Sequence, residues 1–400
     1  MRGGIRMGAW DRIRTYRRFV TRSAGKAAKS SFDKDAVRKA KKALFIAQSG
    51  IGNLLLATPS MMVLSKKVPG IRIDVLVSGR GGDAFLKDAS WLGGGHCVVT
   101  KELQAMGKKE MDALEKGLKT EDYDIVIVTF PSNNLESAIL ASSIGAPVRA
   151  GHRSPAKLRP DKLYNAVSKT IEGKHEVDLN VDLVRALGLD VGDDEVPDPR
   201  IELTAEERRR ARETLTSCSM DPDKDVLVGM HPGAHKDMPQ KRWKGFGDVA
   251  WLLLENKVCT RILVFGGPDE KGLARDIEKA AGDLGEGCGV VSMAGSLSLR
   301  ETAAVISLCK AFISNDSGLM HIAAAVGVPL VAIFGPTSYI RTAPRGKHIV
   351  LKRERDCMPC YVMPGDSIKC EAGDCLVDIA PEEVVKAVRD LLMKGDGGAF

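Results

Sequence analysis

The sequence predicts an α/β protein of two Rossmann-like domains with parallel sheets, facing a central cleft. Three observations carry this expectation. Short apolar runs alternate with helical stretches from Ala43 onward, which implies parallel pairing with helices on both faces. The alternation stops in a long polar stretch that ends near Asp198 and restarts at Asp225. The chain's 400 residues also exceed what one hydrophobic core usually serves. The expected divisions are a basic N-terminal arm over 1–40, a first domain over 41–200 and a second over 201–400.

The arm comes first in the chain. Residues 1–42 carry fourteen Lys or Arg against three Asp, a charge of +11, which leaves −4 of the chain's +7 for all that follows. Within "MRGGIRMGAWDRIRTYRRFVTRSAGKAAKS", Ile5, Trp10, Ile13, Tyr16, Phe19 and Val20 recur among arginines at roughly helical spacing. That pattern fits an interfacial helix drawn to an anionic membrane surface through residues 1–37, and equally a solvated basic tail. No apolar stretch of secretory-signal length follows the charges, and no run of about 18 apolar residues could span a bilayer. A slightly acidic body with only 5% aromatics offers no stacking platform, which argues against a nucleic-acid partner.

"ALFIAQ" (43–48) reads as a buried strand, "NLLLATPSMMVLSKK" as the helix after it, and "IRIDVLVS" (71–78) as the next strand. Between the first strand and helix lies "QSGIGNLLLATP", a glycine loop whose backbone can approach a phosphate or sugar closely. Gly50 and Gly52 match part of the dinucleotide fingerprint, but Leu55 stands at the third glycine and no acidic residue ends the second strand. Bound NAD is therefore not expected. "DIVIVTF" (124–130) is a further strand, and the charged joint "GDDEVPDPRIELTAEERRRARE" leads into the second domain.

There, "DVLVGMHPG", "RILVFGGPDE", "GVVSMAG", "AFISNDSG" and "PLVAIFGP" read as strands, separated by the helical "WKGFGDVAWLLLEN", "EKGLARDIEKAAGD" and "SLRETAAVISLC". In open α/β sheets, ligands sit beyond the carboxyl ends of the strands, where the polar residues of these segments fall. After the first, His231, Gly233, His235, Lys236, Lys241 and Arg242 gather amide donors and cations suited to a pyrophosphate. After the fourth come Asn315, Asp316, Ser317 and Gly318, with Asp316 or Ser317 a natural helix N-cap. His321 is four residues past Ser317 and lies near the same helix amino terminus. Gly327 ends that helix.

Nine cysteines include five scattered singly at 97, 218, 259, 288 and 309, the last three being expected core thiols of a reducing compartment. The other four, Cys357, Cys360, Cys370 and Cys375, have a C-x2-C-x9-C-x4-C spacing. The first pair suits a zinc knuckle and the other interval is looser, so zinc, disulfides and free thiols all stay open. The closing "APEEVVKAVRDLLMK" is an amphipathic helix that completes the second domain.

Together "GIGNLLLATP", "HPGAHKDMPQKRW", "VFGGPDE" and "SNDSGLMHIAAAVGVPLVAIFGPT" resemble the family 9 glycosyltransferases, whose best-known members are ADP-heptose:lipopolysaccharide heptosyltransferases. The likeness covers about residues 41–390, and its most specific piece is Asp-Ser-Gly-x-x-His. It implies a GT-B architecture, the acceptor largely on the first domain and the nucleotide-sugar on the second. It further implies inverting transfer of a heptose or related sugar, from ADP-heptose to a lipopolysaccharide-core or other lipid-linked acceptor, with no metal or other cofactor. A cytoplasmic enzyme, peripheral on the inner face of the cytoplasmic membrane, would result.

Carried over by residue, Asp316, Ser317, Gly318 and His321 match the donor-binding motif and Lys241 matches the lysine that contacts the donor phosphates; His231 and Gly233 join them. Removing Lys241 is expected to lower turnover and leave folding intact. Gly50, Gly52 and Asn53 lie in the acceptor-side loop, where Asn53 replaces the Asp that the family uses as a base. An amide cannot take a proton at ordinary pH, and no other carboxylate lies in that loop. The departure keeps open an alternative, a sugar-nucleotide-binding protein with little or no transferase activity.

Overall fold

The computed structural model describes residues 32–79, 81–87, 89–154, 160–169, 173–282, 289–361, 370 and 374–393. Residues 1–31 of the arm expected over 1–40 lie outside them, as does Cys288. Two compact units divide at Pro199 and Arg200.

In the first unit six parallel strands, β1 (Lys42–Ala47), β2 (Arg72–Ser78), β3 (Cys97–Thr100), β4 (Ile125–Val128), β5 (Val148–His152) and β6 (Ala166–Ser168), lie in the order β3-β2-β1-β4-β5-β6. Ala43 to Ala47 and Ile125 to Val128 are buried on both faces, as continuous apolar runs at the middle of a parallel sheet must be. Helix α1 (Lys34–Arg38) precedes β1, and α2 (Ile51–Lys67) crosses from β1 to β2. Helices α3 (Lys108–Lys119) and α4 (Leu135–Ile144) flank β4.

The stretch expected to be polar up to Asp198 contains β6 and helix α5 (Glu176–Ala186). Val177, Val181 and Val184 point into the core at helical spacing. Two buried polar residues on the same helix, Glu176 and Asn180, hide that pattern. Asn180 accepts from the Phe130 N–H at 2.8 Å and donates to the Phe130 and Glu176 carbonyls, so its burial is satisfied.

The second unit repeats the design with β7 (Leu227–His231), β8 (Arg261–Val264), β9 (Gly289–Ser292), β10 (Ala311–Asn315), β11 (Leu330–Ile333) and β12 (His348–Leu351), again all parallel and ordered β12-β11-β10-β7-β8-β9. Counted within its own unit this is the first sheet's order, the dinucleotide-fold arrangement. Its helices are α6 (Ala205–Ser217), α7 (Phe246–Glu255), α8 (Lys271–Ala281), α9 (Leu299–Ile306), α10 (Gly318–Ala325), α11 (Tyr339–Thr342), α12 (Asp374–Val377) and α13 (Pro381–Met393). Capping boxes start α6 at Thr204 and α9 at Ser298. The amphipathic α13 buries Val384, Val385, Val388 and Leu391 in the second core. Among the described residues no helix is long and apolar enough to cross a membrane.

In each sheet the strand order reverses once, between β1 and β4 and between β7 and β10. The loops beyond the carboxyl ends of those four strands are where such a fold receives ligands.

Candidate functional site

At the second unit's reversal point, β10 delivers Asn315, Asp316 and Ser317 beside the end of β7. Ser317 leaves the strand in an extended conformation and caps α10, its Oγ accepting from the Met320 N–H. Asp316 does not cap. Its Oδ2 lies 2.7 Å from Lys241 Nζ and accepts from Thr337 Oγ1 at 2.7 Å, with both charged side chains about one-tenth exposed. Burial pushes the Asp316 carboxyl up, but Lys241, Thr337 and His321 together outweigh it and hold it below the usual range.

His231, at the carboxyl end of β7, bridges two elements. Its Nε2 is 3.2 Å from Glu270 Oε2 and its Nδ1 is 2.8 Å from Ser317 Oγ. Burial of Glu270 favours its neutral form, yet His231, the Gly267 N–H and Arg242 bring its carboxyl below the ordinary range. An ionised Glu270 only accepts, so Nε2 donates to it, while Nδ1 pairs with the Ser317 hydroxyl. Gly233 makes room for this chain, because a Cβ there would fall 1.7 Å from Glu270 Oε1 and 2.8 Å from His231 Nε2.

Asn315 serves construction. Its Oδ1 accepts from the Trp243 N–H and its Nδ2 donates to the Pro232 and Gly233 carbonyls, pinning the segments that carry Lys241 and Gly233 to β10. His321 is 6% exposed and acts electrostatically on Asp316, so the predicted donor residues His231, Gly233, Lys241, Asp316, Ser317, Gly318 and His321 form one neighbourhood. His235 and Lys236 point outward as exposed residues. The pairing also corrects one expectation: Lys241 neutralises a buried carboxylate, so its removal is not neutral for folding.

In the first unit, Gly50 is the N-cap residue of α2, placing Gly52 and Asn53 in the helix's first turn at the end of β1. Asn53 Nδ2 donates to Glu176 Oε2 at 2.6 Å, and Glu176 is fully buried. Against an ionised Glu176 the reverse amide orientation would set two oxygens against each other, so this hydrogen bond turns Oδ1 to the other side. The loop thus has a carboxylate neighbour after all, from the first turn of α5.

Glu176, Glu270 and Thr337 are the participants that sequence reasoning missed. Glu270 had a signal, since Gly267-Pro-Asp-Glu270 is a capping-box spacing. Glu176 had none, standing 123 residues from Asn53.

In the second unit, a capped helix amino terminus beside the reversal point and a cation held by a carboxylate form an arrangement that can receive a phosphorylated ligand. Comparison with known proteins agrees in kind. The chain is 30% identical over 298 residues to lipooligosaccharide heptosyltransferase 2 of Haemophilus influenzae, covering 70% of this chain and 80% of that one. It is 26% identical over 370 residues to the Haemophilus ducreyi protein of the same name, covering 88% and 99%. The fold superposes on the Escherichia coli ADP-heptose lipopolysaccharide heptosyltransferase II structure with a TM-score of 0.70 at 24% identity, over 89% of this chain and all of that one. Residues 111–370 match the pattern that defines glycosyltransferase family 9 (heptosyltransferase), and the chain belongs to that family.

Proposed function

We propose that the protein transfers a heptose or related sugar from a nucleotide-sugar to a lipopolysaccharide-core or other lipid-linked saccharide, with inversion and without a metal ion. The observation that carries this reading is the convergence of a capped helix amino terminus, His231 and the Lys241–Asp316 pair at the β7/β10 reversal point. The relatives named as heptosyltransferases point to heptose, and the similar structure named for ADP-heptose points to ADP as the leaving group.

In such a transfer an acceptor hydroxyl attacks the anomeric carbon and releases its proton to solvent, the bond to the diphosphate oxygen breaks, and negative charge grows on the departing nucleoside diphosphate. Fixed donors aimed at that charge supply the acceleration. Here those donors are the N–H groups opening α10 at Gly318 and the Lys241 ammonium, with Asp316 and Thr337 setting the lysine's position. Gly50 and Gly52 allow close approach of the acceptor. Asn53, its amide held by Glu176, accepts a hydrogen bond from the attacking hydroxyl at Oδ1 and so orients it.

A panel of nucleotide-sugars and lipid-linked acceptors, with product masses read by spectrometry, tests this. A product carrying one added heptose is expected. The Asn53–Glu176 contact favours one other reading, a sugar-nucleotide binder of the same fold. Saturable donor binding with no product across the panel would establish that reading over the enzyme. The proposed location is cytoplasmic and peripheral, with the basic arm on anionic lipid. Deleting residues 1–31 should release the protein from anionic vesicles with ADP binding unchanged, and vesicle binding that survives deletion would sink the membrane role.

A further inference from the structure

We propose that Cys357, Cys360, Cys370 and Cys375 bind a single thiophilic divalent cation, zinc being the ion that fits a four-sulfur set. The four side chains line one cavity in the second unit, shared with Gln240, Pro336, Arg355 and Asp374. Cys360 is within hydrogen-bonding reach of Cys357 and interacts electrostatically with Cys370, and Cys375 interacts with the other three. All four stand as thiols outside any disulfide. As they stand, no three or more His, Cys, Asp or Glu side chains among the described residues are placed to hold a metal ion. Binding would have to draw the sulfurs inward, the cation supplying the closure.

The chain is built to hold them there. The Tyr361 N–H donates to the Pro336 carbonyl at 3.0 Å, and Thr337 pairs with Tyr361 in an isolated parallel bridge. These contacts bring the Cys357–Cys360 end of the segment against the loop after β11. From the other side, α12 presents Cys375 to the same loop, where a Cβ on Gly335 would lie only 3.2 Å from the Cys375 sulfur. Four thiolates around one divalent cation leave a charge of −2, on a wall that also carries Asp374 and an Arg355 guanidinium already paired with Asp378. Soft sulfur donors select zinc or iron over magnesium and calcium.

The placement gives the ion a task. Gln240 and Pro336 on the cavity wall are the chain neighbours of Lys241 and Thr337, the two groups bonded to Asp316. A cation on the four sulfurs would brace both segments from behind and set the Lys241–Asp316–Thr337 geometry.

The test titrates zinc and cobalt into the full-length chain, purified under reducing conditions without chelators. A single equivalent of cobalt should give the intense thiolate charge-transfer absorption and strong ligand-field bands of a tetrahedral sulfur site, and zinc should displace it. A Cys357→Ser/Cys360→Ser variant should lose that spectrum, and Cys218→Ser, an exposed cysteine elsewhere, should keep it. Should the double variant fail to fold, zinc protection of the four cysteines against alkylation, mapped by mass spectrometry on the native chain, is the second readout. Removing the ion should also weaken ADP binding at least tenfold. No stoichiometric uptake by the reduced chain, an unchanged spectrum in a folded double variant, unprotected cysteines in the presence of zinc, or native disulfides among the four would each overturn the proposal.

Discussion

Asn53 stands where the family resemblance implies a carboxylate, and Glu176 shows what an aspartate there would meet. Asn53→Asp would set two carboxylates at hydrogen-bond distance in a site where Glu176 is wholly buried, and they would have to share a proton. The pair's folded pKa is then raised above that of the unfolded chain, so the folded state holds the extra proton and stability falls as pH rises. The variant should be less stable than the parent by about 1–3 kcal/mol at pH 8, with a smaller gap at pH 5. Equal gaps in denaturant melts at the two pH values would remove the shared proton. Lys241→Ala leaves Asp316 charged and nearly buried, a loss of roughly 3–5 kcal/mol. Lys241→Ala/Asp316→Asn removes both charges and should recover most of that stability while ADP binding stays lost. Normal ADP affinity in the double variant, measured by calorimetry, would take the pair out of the donor site. At this scale the polar cluster Asp316, Ser317, Gly318 and His321 was legible, because its residues are contiguous. Partners brought by other elements, Glu176 and Thr337, were not, because nothing local in the sequence marks a contact made across the fold.

Elements explain both the strands that periodicity finds and those it does not. β1, β2, β4, β7, β8, β10 and β11 sit as apolar runs, and their burial is what makes them readable, while β9, an outer strand only partly buried, is read from its two valines. β3, β6 and β12 are the other outer strands, short and partly exposed, and β5 reads "VRAGH", with Arg149 and His152 buried inside it. Arg149 is tolerated there because its guanidinium donates to the Ala146 and Leu163 carbonyls. The loop after β7 carries much of the proposed donor site. Gly233 lets the Glu270 carboxylate lie against His231, and a methyl group there would press on both the Glu270 carboxylate and the buried His231 ring. Gly233→Ala should therefore lose the Glu270–His231 contact, at some cost in stability, and bind ADP about tenfold more weakly, in line with one charge-assisted hydrogen bond. Full ADP affinity in that variant would show that Glu270 does not act through His231.

Across the whole molecule the acid response should differ between the units. The carboxyls of Asp316 and Glu270 in the second unit are held below the ordinary range, so their contribution persists above the unfolded pKa and is lost only as pH falls through the lowered folded values. In the first unit, burial pushes His152 down to about 4 from 6.5. Among the described residues neither ring nitrogen has a hydrogen-bond partner, and the ring packs edge-on against Phe130. Between those two pH values the unfolded chain binds a proton at His152 that the folded chain refuses. Stability of the first unit therefore falls as pH drops from 6.5 to 4, by at most about 3 kcal/mol. Trp91 lies in the first unit's core and Trp243 in the second's, so each can report its own unit. In variants retaining one or the other, Trp91 fluorescence should lose its folded signal at a higher pH than Trp243. His152→Leu should flatten the first unit's slope over that interval. A slope that persists in His152→Leu would assign the acid lability to another group.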